Sequence, residues 1–112
     1  MTKRWQKLGR LYAPTGPNRH LKLASHSANP LPVLLHGDVY RIFYSGRDAS
    51  NRSSVGAVDI DIVRREIVTD HYAPFFEHGT PGEFYESGVS IGNCYEADGT
   101  RYMLFMGCQT PP

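Results

Sequence analysis

Two arginines, an aspartate and an asparagine fall within the stretch Arg47-Asp48-Ala49-Ser50-Asn51-Arg52-Ser53. Forked guanidinium donors beside a carboxylate and an amide suit recognition of hydroxyl-rich or anionic ligands. The same residue types also close polar hairpin loops through their Asp and Asn side chains, so the stretch has a structural reading beside the chemical one. Asp48 offers a general base, and its Arg neighbours offer it a local salt bridge instead. Glu86, in Phe84-Tyr85-Glu86-Ser87-Gly88-Val89, offers a second carboxylate. It can hold a hydroxyl or modulate a neighbouring acid, or simply cap the chain into the next strand.

The elements that must carry these residues read as strands. Runs 31–35, 39–46, 54–61 and 65–70 are rich in β-branched and aromatic residues and show no sustained helical period. Seven Tyr, five Phe and one Trp in 112 residues point the same way. Four strands in so short a span predict an up-and-down antiparallel sheet over 28–70, with the polar loop 47–53 joining its second and third strands. Asp59 and Asp61 alternate with Val58 and Ile60 and are expected to face away from the apolar side. Before the sheet, Pro14, Gly16 and Pro17 interrupt an apolar spacing at Trp5, Leu8, Leu11 and Tyr12, which predicts a docking arm over 1–24 rather than a folded element.

Twelve Lys and Arg against eleven Asp and Glu give a net charge of +1, which argues against nucleic acid as a partner. Cys94 and Cys108 lack ligand spacing, so reduced, packed thiols and no metal or cofactor are expected. No stretch approaches a membrane span and the N-terminus has no apolar leader, which implies no membrane partner and a cytoplasmic location.

Beyond the link 73–82 the pattern returns. An offset of 62 residues (99 − 37) aligns Gly37 with Gly99, Tyr40 with Tyr102, Ile42 with Leu104 and Phe43 with Phe105. A four-stranded repeat of this period suggests propeller blades. The expected fold is therefore all-β, a partial β-propeller with one complete four-stranded blade over 25–72 and the first hairpin of a second over 73–112. An open ring leaves unpaired edges, so self-association through the exposed blade edge is expected.

The 47–53 stretch, the following Val58-Asp59-Ile60-Asp61, the segment from Gly82 to Val89, and Tyr102-Met103-Leu104-Phe105-Met106-Gly107 together resemble the N-terminal third of five-bladed β-propeller glycosidase-like proteins, relatives of glycoside hydrolase families 43, 32 and 130. The resemblance implies a carbohydrate ligand in a central channel and carboxylates contributed by different blades. Strand alternation then brings His26, Asn29, Arg47, Asp48, Arg52, Tyr85 and Glu86 to one end of the sheet. Within that set Glu86 and Asp48 are the expected catalytic residues, and His26, Asn29, Arg47, Arg52 and Tyr85 the expected substrate-binding ones. Asn29 stands where many such glycosidases carry an aspartate as general base, which favours the alternative of a non-catalytic carbohydrate-binding propeller. A truncated, inactive fragment is the third reading.

Overall fold

The β-branched and aromatic runs extend as strands in the computed structural model, which describes residues 3–109. β1 (Ser25–His36), β2 (Val39–Arg47), β3 (Ser53–Asp61) and β4 (Glu66–Asp70) follow one another as an antiparallel meander. β5 (Gly88–Ala97) and β6 (Thr100–Cys108) form a hairpin. A single parallel pairing, Ser53 with Gly88, joins the hairpin to β3 and makes one mixed sheet of six strands. The fold is all-β.

β3 is buried along nearly its whole length because it is covered on both faces. On one face Phe43, Val55 and Ala57 meet Val89 and Ile91 of the hairpin. On the other, Tyr44, Val58 and Ile60 surround Leu23. A strand covered on both sides reads as a continuous small and apolar run rather than an alternation. That is why Asp59 departs from expectation. It is 5% exposed and points into the same side as Phe43 and Ala57, where Arg41 donates to both of its oxygens (2.9 and 3.1 Å) and His71 Nε2 lies 3.0 Å away. Asp61 behaves as a turn residue, accepting from the amides of Val63 and Arg64.

The N-terminal arm docks on the sheet. It enters the core at a 3-10 turn, Leu21–Leu23, whose Leu23 is 1% exposed. Arg19 fastens it, donating to the Tyr12 and Tyr44 hydroxyls at 2.7 and 2.8 Å and to the Leu23 carbonyl at 3.0 Å. Burial raises the Tyr12 hydroxyl well above the ordinary phenol range, and the bond to Tyr44 adds to this while Arg19 opposes it. Tyr12 and Arg19 thus hold the arm as a neutral phenol and a cation. Trp5 at the other end is fully exposed. Of the two thiols, Cys94 is half-buried and Cys108 is exposed rather than packed.

The expected repeat shifts by one residue. The turn between β1 and β2 is Gly37–Asp38, with positive φ at Gly37 alone; the turn between β5 and β6 is Asp98–Gly99, with positive φ at both positions. Hairpin turns of the first kind place glycine first, and turns of the second kind favour Asp-Gly. The hairpins therefore correspond at 61 residues (98 − 37), not 62. In strands a one-residue slip exchanges faces. Accordingly Phe43 and Phe105 are not equivalents: they line one cleft from its two walls, with Phe75 and Phe76 between them.

Candidate functional site

Register alone gathers the candidate segments at one end. Ser25 pairs with Arg47, Ser53 with Gly88, and Gly88 with Cys108, so the start of β1, the loop after β2 and the segment before β5 meet there. Within the loop, Asp48 is the organising residue. Its Oδ1 accepts the amides of Ser50 (2.9 Å) and Arg52 (2.8 Å), and its Oδ2 accepts Arg52 Nε at 2.9 Å. The backbone closes the same ring, with the Asp48 amide donating to the Arg52 carbonyl and the Asn51 amide to the Asp48 carbonyl. Asn51 takes a left-handed φ of 65°, and its side chain accepts from Arg47 Nη1 at 2.8 Å.

These bonds decide Asp48's chemistry. Burial alone raises a carboxyl, but here the Arg52 amide, the Arg52 guanidinium and the Ser50 amide outweigh it and hold Asp48 below its ordinary value. Such a carboxylate is a weak base with both oxygens occupied, which counts against the catalytic role expected of it. Arg52 spends only Nε on Asp48, so its terminal nitrogens have no partner among the described residues and reach solvent.

His78, which the residue pattern did not single out, completes the loop from beneath. Its side chain is 7% exposed, its amide donates to Ser54 Oγ at 3.1 Å, and its Nδ1 lies 3.0 Å from the Gly79 carbonyl. A carbonyl only accepts, so Nδ1 carries a hydrogen. Nε2 is fully buried, has no hydrogen-bond partner among the described residues, and lies 3.6 Å from Asp48 Oδ2. A histidine in a Pro/Gly-rich link carries no periodic signal, so its burial could be found only by folding.

The remaining candidates divide. Asn29 lies on β1 with a left-handed φ of 50°, and its Nδ2 donates to Ser90 Oγ at 3.2 Å; Ser90 Oγ in turn is 2.9 Å from Ser45 Oγ. His26 is likewise left-handed (φ 66°), with its ring against Ser25 Oγ at 2.8 Å. Both stand where β1 slips register against β2. Glu86 is half-buried, and its Oε2 accepts the Gly82 amide at 2.8 Å. Among the described residues no hydrogen bond or ion pair joins Arg47 or Arg52 to Glu86. Tyr85 does not join the polar end: its ring packs against Phe76, Phe84 and Phe105. Its hydroxyl is raised above the usual range by the bond to the Glu83 carboxylate.

No group of three or more His, Cys, Asp or Glu that could hold a metal ion occurs among the described residues. No helix there is long and apolar enough to cross a membrane.

No family model matches the sequence, and no solved structure matches it. Two uncharacterized proteins of Mycobacterium tuberculosis, MT1551 of strain CDC 1551 and Rv1502 of a second strain, are each 41% identical to the chain over 104 residues. The aligned region is 92% of this chain and 34% of each relative, so the chain spans about a third of the length of the curated relatives it matches.

Proposed function

We propose that the chain is the sugar-recognising first part of a five-bladed glycosidase-like propeller, β1–β4 being its first blade and β5–β6 the first hairpin of its second. The ligand sits at the end where the start of β1, the 47–53 loop and the segment before β5 meet. The observation that carries this reading is the backbone of β1. Two non-glycine residues, His26 and Asn29, take left-handed conformations at successive register shifts on an edge strand, beside the loop built around Asp48. Such residues cost on the order of 1–3 kcal/mol each and cluster at ligand sites, and bulges re-aim the side chains they carry. The His26 ring lies against Ser25 Oγ and the Asn29 amide against Ser90 Oγ, and with the Arg52 terminal nitrogens, unpartnered among the described residues, they give a donor and acceptor set suited to sugar hydroxyls.

In this reading the chain binds and orients a glycosyl unit for hydrolysis or transfer. Glu86 is the carboxylate it contributes. The facing carboxylate that glycosidase chemistry requires comes from a later blade, because Asp48 is bound up in its loop. A non-catalytic carbohydrate-binding propeller is the second reading, favoured by Asn29 in place of a base and by the engagement of Asp48.

Saturation-transfer NMR of the chain against neutral and anionic mono- and disaccharides tests both readings. Saturable binding is expected, weakened by about 1–3 kcal/mol on Arg52→Ala or Glu86→Gln, the loss that goes with a hydrogen bond to a charged group. Absence of saccharide binding, or binding indifferent to both substitutions, rules out the site.

A further inference from the structure

The net charge of +1 hides a division along the chain. Lys3, Arg4, Lys7 and Arg10 give residues 3–10 four cations and no acid, and the first acid of the sequence is Asp38. Residues 11–112 carry eight Lys and Arg against eleven Asp and Glu, a charge of −3. The cations of the arm also divide by use. Arg19 and Lys22, at its base, are engaged by Asp70 (3.7 Å) and Glu77 (3.3 Å). The four in 3–10 are all exposed, and none has an ion-pair partner among the described residues.

Between these cations stands an indole. Tryptophan ordinarily finds cover for most of its surface, yet Trp5 is fully exposed and Leu8 is more than a third exposed, on a segment without helix or strand. An apolar protein surface is a poor cover for this segment, in this chain or in a longer one, because taking four unpaired charges out of water costs more than the indole returns. A cover that suits it must be anionic and wet on the outside and apolar just beneath.

We infer that residues 3–10 anchor the chain to the surface of membranes rich in anionic headgroups. Trp5 and Leu8 enter the boundary between headgroups and acyl chains, and Lys3, Arg4, Lys7 and Arg10 stay among the phosphates. Tryptophan is favoured at that depth, where its body is apolar and its N–H stays wet. Leu8 favours a membrane over a nucleic acid, since an aliphatic side chain offers a base neither a stacking face nor a hydrogen bond. That no helix among the described residues is long and apolar enough to cross a bilayer bears on spanning, not on lying at its surface. The acidic body does not oppose the contact. The arm joins the sheet at Leu11 and Tyr12, and the extended backbone from Trp5 to Leu11 reaches about 20 Å, beyond the Debye length of about 8 Å at physiological salt. This anchoring does not rest on the sugar reading.

Trp5 is the only tryptophan, so its emission reports its own surroundings. Titrating the chain with vesicles of equal parts phosphatidylcholine and phosphatidylglycerol is expected to shift that emission to the blue and to saturate. Vesicles of phosphatidylcholine alone, and inorganic phosphate at matched ionic strength, leave it unshifted, and raising the salt reverses the shift. Lys7→Gln weakens vesicle binding about fivefold, the factor for one cation near an anionic surface. Replacing Lys3, Arg4, Lys7 and Arg10 together by Gln abolishes co-sedimentation with the vesicles. Arg64→Gln with Arg65→Gln, exposed cations of the turn before β4, leaves it unchanged. Circular dichroism checks that the variants keep their strands, and the salt reversal on the parent stands without any variant. Emission unmoved by anionic vesicles, an equal shift with neutral ones or with phosphate, a fourfold variant that co-sediments like the parent, loss of binding with the Arg64 and Arg65 pair, or tighter binding to oligouridylate than to vesicles overturns the inference.

Discussion

Asp48 and Asp59 are both nearly buried carboxylates, and each is matched by donors from a different part of the chain. Asp48 draws on its own loop; Asp59 draws on Arg41 across the β2–β3 pair and on His71 after β4. For Asp59 the Arg41 bond leads, burial opposes it, and His71 reinforces it, leaving the carboxyl below its ordinary value. Two depressed carboxyls fix the sign of the pH dependence. Their contribution to stability is complete above the unfolded value near 3.8 and is lost as pH falls through the lower folded values. Urea unfolding at stepped pH is expected to show the midpoint falling on the acid side. Asp48→Asn should flatten that limb and cost about 2 kcal/mol at neutral pH, from the loss of charge-assisted bonds. If Asp48→Asn keeps the parent's midpoint at pH 7 and its acid limb, the loop does not rest on this residue.

At the scale of elements, much of the sheet was legible from residue type. The runs around Val39 and Val55 became β2 and β3, and the 47–53 stretch became the connection between them. What escaped had non-local causes. Leu23 sits in the short run Leu21-Lys22-Leu23-Ala24 without a strand or helix period, and only the groove over β2 and β3 makes it core. Asp59 was misplaced because its partners lie 18 and 12 residues away, and alternation within one strand cannot report them. His78 and the arm residue Arg19 were missed for the same reason. The groove that receives Leu23 depends on the absence of a side chain at Gly56, where a Cβ would lie 2.6 Å from the Tyr44 ring and 3.0 Å from Leu23 Cδ1. Tyr44 is held by Arg19 and has nowhere to retreat. Gly56→Ala is therefore expected to destabilise by about 1–3 kcal/mol, the cost of overpacking a filled core, with the urea midpoint lowered and the slope unchanged. An unaltered midpoint would mean that the arm yields and is not part of the core.

At the scale of the molecule, β1–β4 and the β5–β6 hairpin are joined by little backbone and much aromatic surface. The backbone link is the Ser53–Gly88 pairing, with a bond of 3.3 Å from the Ser53 amide to the Ser87 carbonyl. The aromatic link is Phe76. Its backbone pairs with Val55 of β3, while its ring lies 4.8 Å from Phe105 and 5.9 Å from Tyr85. One residue thus belongs to the first four strands by its main chain and to the hairpin by its side chain. The hairpin has few partners of its own, so its local opening free energy should depend on that ring more than the β2–β3 ladder does. Phe76→Ala is expected to remove about 2 kcal/mol from the hairpin, below the full cost of deleting a completely buried phenylalanine because the residue is half-buried. Amide hydrogen exchange under native conditions resolves where the loss falls. Exchange in Gly88–Cys108 should accelerate, while amides of Val39–Arg47 and Ser53–Asp61 keep their protection. Equal acceleration in both regions would show that the six strands open as one cooperative unit and that Phe76 is ordinary core rather than the joint between two parts.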